Sequence, residues 1–392
     1  MNAEILRHIP TIAEFFKIKN DKPLAEGTRQ LLEAMEEKTF QAGQNIVTVG
    51  ADSSDGMYII LSGNTDVLSN KGERINVLGA GDFIGELGLI NDDVRGATVR
   101  ATTEVVCANI SRDLFEEIAS KNRKIYGSFM NMLYTKTTKL VTEQQRIKSE
   151  LAIATTIQDG CLEHDFSEFN KLSNIELHAA MRPAKEVGGD FYDVFMIDRN
   201  HLCFLIADVS GKGVPAALFM TMAKTHIKNF ASVGMPLSEV MFRANNALCY
   251  KNEQGMFVTA FVCVMDLDTG DVTYVNAGHN PPFVKRCGDF FGMMNIKANL
   301  VLGMMEEMKY KEEHLTLSKG DTIYMYTDGV TEALNPKQEF LGDDRLGEML
   351  NAHSDEAGDT KTFVEKMFEE VDGFADGEQQ ADDITMLYLS RM

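Results

Sequence analysis

Cationic residues are scarce in this chain of 392 residues. Lys plus Arg number 38 against 59 Asp plus Glu, a formal net charge of −21. A molecule so acidic repels phosphate backbones, which argues against general nucleic-acid binding, and it suits no anionic membrane surface. No uncharged apolar run reaches the roughly 18 residues that a transmembrane helix needs. The opening Met1-Asn2-Ala3-Glu4-Ile5-Leu6-Arg7-His8 lacks the basic end and apolar run of a secretion signal. Six cysteines, Cys107, Cys161, Cys203, Cys249, Cys263 and Cys287, form no Cys-x-x-Cys and no Cys/His pairs at zinc spacing. Reduced thiols in a cytoplasmic protein are expected, without a structural zinc. Ser210-Gly211-Lys212-Gly213 is no P-loop, because no Gly precedes it at the required spacing. No Gly-x-Ser-x-Gly elbow occurs either. Hard cations stay open, since carboxylates gather them.

The length fits two or three domains, and three textures divide the chain. Ile5, Ile9, Ile12, Phe15 and Phe16 recur at helical spacing, as do Leu31, Leu32 and Met35. From about 40 to 110, short apolar runs such as Met57–Leu61, Thr65–Leu68 and Glu104–Ala108 are punctuated by Gly, the pattern of an antiparallel barrel or jelly roll. From about 112 to 162 neither Pro nor a turn cluster appears. Leu133, Leu140, Ile147, Ala154 and Cys161 recur every seventh residue, which predicts one long helix with a single apolar stripe. Such a helix either packs on its own domains or pairs with a second copy. Beyond about 172, near-continuous apolar runs at His201–Ala207 and Thr322–Tyr326 read as buried strands, and Pro215–Phe230 and Thr360–Val371 read as helices.

The stretch from Phe83 to Ala101 carries the chemistry of a phosphate pocket. Gly85 lets backbone approach an anion closely, and a short helical turn from Glu86 and Leu87 aims free N–H groups at it. Glu86 can accept a ribose hydroxyl. Arg95 offers a forked, permanent charge to a cyclic phosphate. The segment resembles the phosphate-binding cassette of cyclic-nucleotide-binding domains, a resemblance that covers about residues 1–125. A hydroxyl residue after the Arg favours guanine in that family. Gly96 stands here, which leaves cyclic AMP favoured. The bland alternative is an unliganded barrel in which Glu86 and Arg95 pair with each other.

Four later segments set acidic residues in distinctive contexts: Gly188-Gly189-Asp190, Ala207-Asp208-Val209-Ser210-Gly211-Lys212-Gly213, Tyr326-Thr327-Asp328-Gly329, and Ala381-Asp382-Asp383-Ile384-Thr385. Asp208 and Asp328 end apolar strands, where a carboxylate is costly unless solvated or metal-bound. Oxygen ligands of this kind suit Mg²⁺ or Mn²⁺. Together with Asn276-Ala277-Gly278-His279-Asn280-Pro281-Pro282, the segments resemble the metal-dependent type 2C protein phosphatases, in their stage II sporulation branch. The resemblance implies a β-sandwich of two antiparallel sheets with helices on both outer faces, and a two-metal site. In it Asp208 bridges both ions, the Val209 carbonyl adds a ligand, Asp190 holds one ion, and Asp328 and Asp382 hold the other. Asp382 is favoured over Asp383 as the last ligand. A water acidified between the ions would attack phosphoserine or phosphothreonine. Lys185 stands where many relatives carry a phosphate-gripping Arg, with Arg182 a lesser candidate. His279 is read as a structural turn residue rather than a general acid.

The combined expectation is a multi-domain α+β protein with three parts. About 1–125 form a cyclic-nucleotide-binding-like β jelly-roll barrel with flanking helices. About 126–170 form a helical linker able to dimerise the chain. About 171–392 form an αββα phosphatase domain. No helix-turn-helix follows the cassette, so a cyclic-nucleotide-responsive transcription factor lacks its DNA-reading part. The expected partners are a phosphoprotein substrate, possibly of the anti-anti-sigma type, a cyclic nucleotide and a second copy of the chain. The rival readings are a catalytically unproductive ligand-responsive scaffold, an active phosphatase whose first domain only dimerises, and a phosphodiesterase using the same ions.

Overall fold

The computed structural model describes residues 12–13, 18, 23–24, 26–89, 94–121, 123–172, 174–354 and 359–392, and of some helical residues only the backbone. Ile5, Ile9, Phe15 and Phe16 lie outside the described residues, and of Leu31, Leu133 and Leu140 no side chain is described. The chain divides into two compact units, Met1–Gln145 and Arg146–Met392. The division falls inside the span of about 126–170 expected to link the domains. Among the described residues no helix is long and apolar enough to cross a membrane.

Among its described residues the first unit contains α1 (Glu26–Ala34), β1 (Glu36–Phe40), β2 (Asn45–Val47), β3 (Met57–Ser62), β4 (Thr65–Leu68), β5 (Arg74–Leu78), β6 (Phe83–Ile84), β7 (Thr98–Ala101) and β8 (Val105–Ile110). These strands form two four-stranded antiparallel sheets, ordered β1-β8-β3-β6 and β2-β7-β4-β5. The central strands β3 and β8 are apolar and buried over most of their length, while edge strand β5 is exposed, as a sheet with protected and solvated edges requires. Gly56 and Gly63 take φ +82° and +92° against the backbone of Ile110 and Glu104, a close approach that no Cβ permits. Helix α2 (Arg112–Lys121) follows, then α3 (Arg123–Asp159). The stretch is helical on both sides of residue 122, which lies outside the described residues, and its apolar stripe is cut short, because α3 stops at Asp159 and Cys161 lies beyond it.

The second unit contains the short α4 (Ser167–Asn170), β9 (Ile175–Arg182), β10 (Phe191–Met196), β11 (His201–Val209), α5 (Val214–Ala231), α6 (Leu237–Cys249), β12 (Val258–Asp266), β13 (Asp271–Ala277), β14 (Phe283–Lys285), β15 (Phe291–Met293), β16 (Glu313–Thr316), β17 (Thr322–Tyr326), α7 (Asp328–Thr331), α8 (Gly342–His353), α9 (Thr360–Ala375) and β18 (Ile384–Arg391). Two five-stranded antiparallel sheets, β10-β11-β12-β13-β16 and β15-β14-β17-β18-β9, face each other. Helices α5 and α6 cover the first, and α8 and α9 the second. Strand β11 is apolar from Leu202 to Ala207 because one face meets the opposite sheet and the other meets α5. Helix α5 follows Gly213, whose φ is +76°, and carries Pro215 as its second residue. It buries Ala216, Phe219, Met220, Ala223, Ile227 and Ala231, the three-and-four spacing of a one-sided helix. Helix α9 is capped by Asp359, whose side chain accepts from the Thr362 amide at 2.7 Å.

This topology places the acidic segments together. The start of β10 pairs with the end of β11, Phe191 opposite Ala207. The end of β17 pairs with the start of β18, Tyr326 opposite Met386. Asp190 precedes β10, Asp208 sits near the end of β11, Asp328 follows β17 and Asp382 precedes β18, so each sheet delivers two aspartates from adjoining strand ends.

Candidate functional site

Asp190 is 1% exposed, and Thr327 Oγ1 and Thr385 Oγ1 each donate to its Oδ2 at 2.7 Å. The two threonines are themselves tied, because the Thr385 amide donates to Thr327 Oγ1 at 2.9 Å. Asp208 lies within hydrogen-bond reach of Asp190. Burial, then Asp208 and Asp383, push the Asp190 carboxyl well above the usual carboxylate range. Burial, then Asp328, push Asp208 up to about 7. Burial, then Glu332 and Asp382, push Asp328 up to about 6. A set of carboxylates that resist ionisation this way lacks positive charge. Hard oxygen donors in that condition fit a hard divalent cation. Among the described residues, no three His, Cys, Asp or Glu side chains already close around a single point.

The adjacent acids Asp382 and Asp383 have different surroundings. Asp383 is buried, and its Oδ1 accepts from the Ala184 amide at 2.7 Å. Its Oδ2 accepts from the amides of Gly189 at 2.6 Å and Asp190 at 3.4 Å. It is thus spent on backbone, holding the loop between β9 and β10 in shape. Gly188 packs directly on this carboxylate, and a Cβ on Gly189 would stand 2.9 Å from the Val209 carbonyl oxygen. Gly329 likewise packs on the Asp383 backbone. The glycines beside Asp190 and Asp328 are therefore needed for close approach. Asp382 is only partly covered. Lys212 Nζ stands 2.7 Å from its Oδ2 and donates to the Ala381 carbonyl at 2.6 Å. Burial lowers the Lys212 pKa, but Asp382, Asp383 and Asp328 outweigh it and the net shift is upward.

The other cations divide. Lys185 is exposed on the β9–β10 loop. Arg182 is held by both oxygens of Asp372, at 2.9 and 2.6 Å, and lies over the Phe368 ring, so it is committed away from the aspartates. His279 is buried between Thr259 Oγ1 at 2.8 Å and the Tyr326 carbonyl at 3.1 Å, and burial pulls its pKa down to about 4. The Asn276 side chain closes the turn around it from both sides, at 2.7 and 2.9 Å. A neutral imidazole locked in this way serves the turn.

Sequence reasoning missed Thr327, Thr385, Lys212 and Gln158. The available signal for the threonines was a hydroxyl residue directly beside each acidic segment in an otherwise apolar strand. Nothing in the sequence marked Gln158. It lies in the last turn of α3, 7% exposed, and its amide donates to the Gly188 carbonyl at 2.6 Å and accepts from the Gly188 amide at 3.0 Å. Thr155 Oγ1 donates to the Glu186 carbonyl at 2.6 Å. The end of this helix thus grips the loop that leads to Asp190.

In the first unit, Arg95 is buried. It donates to the Gly85 carbonyl at 3.0 Å, to the Gly56 carbonyl at 2.5 Å and to the carboxylate of Asp55, which also accepts from Tyr58 at 2.7 Å. The Arg95 partner is thus Asp55, not Glu86. Its Nε is buried without a partner. Glu86 and Leu87 open the expected 3-10 turn Glu86–Leu89, Gly85 takes φ +71° directly against the guanidinium, and Gly96 has open space around it. Cassette residues 90–93 lie outside the described residues.

Comparison with known proteins agrees with this geometry. The family model "Stage II sporulation protein E (SpoIIE)" matches residues 198–392, and the model "Cyclic nucleotide-binding domain" matches residues 37–122. Phosphoserine phosphatase RsbU of Bacillus subtilis is 32% identical over 250 residues, which cover 63% of this chain and 72% of that protein. Protein IcfG of a Synechocystis species is 31% identical over 248 residues, covering 56% of this chain and only 38% of IcfG. Among solved structures, the SiaA-PP2C domain of Pseudomonas aeruginosa superposes with a TM-score of 0.55 at 21% identity, over 64% of this chain and 98% of that domain, which is a likeness of fold. The chain belongs to the stage II sporulation protein E family of PP2C-type serine/threonine phosphatases and carries a cyclic nucleotide-binding domain ahead of the phosphatase domain.

Proposed function

We propose that the second unit hydrolyses phosphoserine or phosphothreonine on a partner protein, with two Mn²⁺ or Mg²⁺ ions held by Asp190, Asp208, the Val209 carbonyl, Asp328 and Asp382. When bound, such a pair supplies Lewis-acid polarisation of phosphoryl oxygens and an acidified water. The chain's own residues do the rest. Thr327 and Thr385 orient Asp190, Asp383 shapes the loop before it, and Lys185, exposed on that loop, would meet the substrate phosphate as a point charge. The observation that carries this reading is the delivery of Asp190, buried, and Asp208, Asp328 and Asp382, half-buried, from adjoining strand ends of the two sheets. RsbU is named a phosphoserine phosphatase, which supports a phosphoprotein substrate, here of the anti-anti-sigma type. The test is phosphate release from a phosphoserine protein with Mn²⁺. Native chain is expected to turn over, and Asp328→Asn, still folded by circular dichroism, to lose at least about a hundredfold. Equal rates would reject the site, and release of nucleoside monophosphate from a cyclic nucleotide instead would mark a phosphodiesterase.

Control is assigned to a cyclic nucleotide, cyclic AMP favoured, in the first unit, read as a jelly-roll barrel. The buried Arg95 Nε without a partner supports an anion site there. The grip of Gln158 on Gly188 supports α3 as the transmitter. Exposed Tyr126, Met130, Tyr134 and Val141 on α3 support pairing of two copies, and the chemistry suits the cytoplasm. One observation favours a second reading, in which the first unit only dimerises: Arg95 is already neutralised by Asp55. Calorimetry with cyclic AMP and cyclic GMP separates the two, since the second reading expects no heat from either.

A further inference from the structure

Lys212 sits between Gly211 at φ +87° and Gly213 at φ +76°, in the short loop joining β11 to α5. These two glycines let the loop turn its one long side chain toward the opposite sheet. There the ammonium meets Asp382 Oδ2 at 2.7 Å and the Ala381 carbonyl at 2.6 Å, on the segment that enters β18. Lys212 follows Asp208 by four residues, so one cation reaches across from the segment of one proposed metal ligand to another. Neither end is deeply buried, with side-chain exposures of 38% for Lys212 and 28% for Asp382. A pair this open contributes little on its own and can be exchanged. A cleft of about 470 Å³, lined by Ser210, Gly211, Lys212, Gln254 and Met256, adjoins the loop and gives the side chain somewhere to go.

From this geometry we propose that Lys212 is the tethered counter-cation of the aspartate cluster: it holds Asp382 while no divalent ion is bound, and it must leave Asp382 before an ion can be held there. Asp382 Oδ1 already accepts from the Asp383 amide at 2.9 Å, so an ion must take Oδ2, where the ammonium stands at contact distance and would repel it. The ammonium therefore competes with an ion for Asp382. It also limits the repulsion among the acids in the metal-free protein. Lys212 is on this account a positioning residue whose effect appears first in ion affinity. The inference rests on the metal-site reading given above.

The experiment is a calorimetric titration of the full chain with MnCl₂ at fixed pH and ionic strength, for native protein, Lys212→Met and Lys212→Arg. Lys212→Met is expected to bind Mn²⁺ about three- to tenfold more tightly, and Lys212→Arg to stay near native. Equal or weaker binding by Lys212→Met overturns the inference while leaving the metal site intact. Absence of Mn²⁺ binding in the native chain overturns both. Because Lys212→Met could fold poorly, a second measurement uses native protein alone: acylation of lysines by an amine-reactive ester, read by mass spectrometry with and without Mn²⁺. Lys212 is expected to react several-fold faster when Mn²⁺ is present. An unchanged or slower rate contradicts displacement from Asp382.

Discussion

Asp190 has two hydroxyl donors and, among the described residues, no cation within contact, and both donors come from the side of the opposite sheet. Thr385→Val removes one donor and leaves Asp190 Oδ2 with half its hydrogen bonds. Loss of such an orienting partner typically costs about 10- to 100-fold in metal affinity or activity. A fall in that range, read as a higher Mn²⁺ requirement in the phosphatase assay, is expected, and an unchanged requirement would remove the threonines from the account. Asp208 yields a pH test. Its pKa is raised from an ordinary 3.8 to about 7, so the folded state binds the proton more tightly than the unfolded one. Metal-free protein should therefore lose stability as pH rises from about 4 to 7, by at most roughly 4 kcal/mol from this group. Asp208→Asn should flatten that loss and raise the melting temperature at pH 8 while abolishing activity; a melting temperature lowered at pH 8 would contradict it. At this scale the sequence revealed the aspartates, because a carboxylate ending an apolar run is conspicuous. It could not show that Asp383 faces backbone amides while Asp382 faces Lys212, since adjacent identical residues differ only in what the fold brings to them.

The informative element is the β9–β10 loop, Pro183 to Asp190. Asp383 holds it from one side and the end of α3 from the other. Gln158→Leu keeps the size of the side chain and removes both hydrogen bonds to Gly188. Leaving those buried backbone groups unpaired costs on the order of 1–3 kcal/mol each. Faster hydrogen exchange at the Gly188 amide, weaker Mn²⁺ binding and a lower rate are expected together. Faster exchange with an unaltered metal requirement would show that the loop does not transmit. Strand positions were legible because their residues are apolar on both faces: Thr322–Tyr326 falls where the sequence placed it, and His201–Ala207 extends only to Val209. The long helix was less legible. Absence of Pro and of turn clusters shows where a helix can run, but the stop at Asp159 depends on contacts in the fold.

On the scale of the whole molecule, a chain with net charge −21 gathers several of its acids at one end of a sandwich. Its two units match different families, and the proposed link between them is α3. Coupling through such a helix is typically worth ~1–3 kcal/mol, or about 5- to 150-fold. Saturating cyclic AMP is therefore expected to change the phosphatase rate of the native chain within that range, and equal rates with and without it would end the control model. The sequence divides into three textures, whereas the chain divides into two compact units with the boundary inside a helix, which carries no local mark of the unit it belongs to.

The central claim, that the aspartates around Asp208 hold a pair of divalent ions, is tested most directly by anomalous diffraction from crystals of the full chain grown with Mn²⁺. The account expects two peaks about 3.5–4 Å apart, with Asp208 between them and Asp190, Asp328 and Asp382 alongside. Strong Mn²⁺ peaks elsewhere on the molecule and none at these strand ends would contradict it.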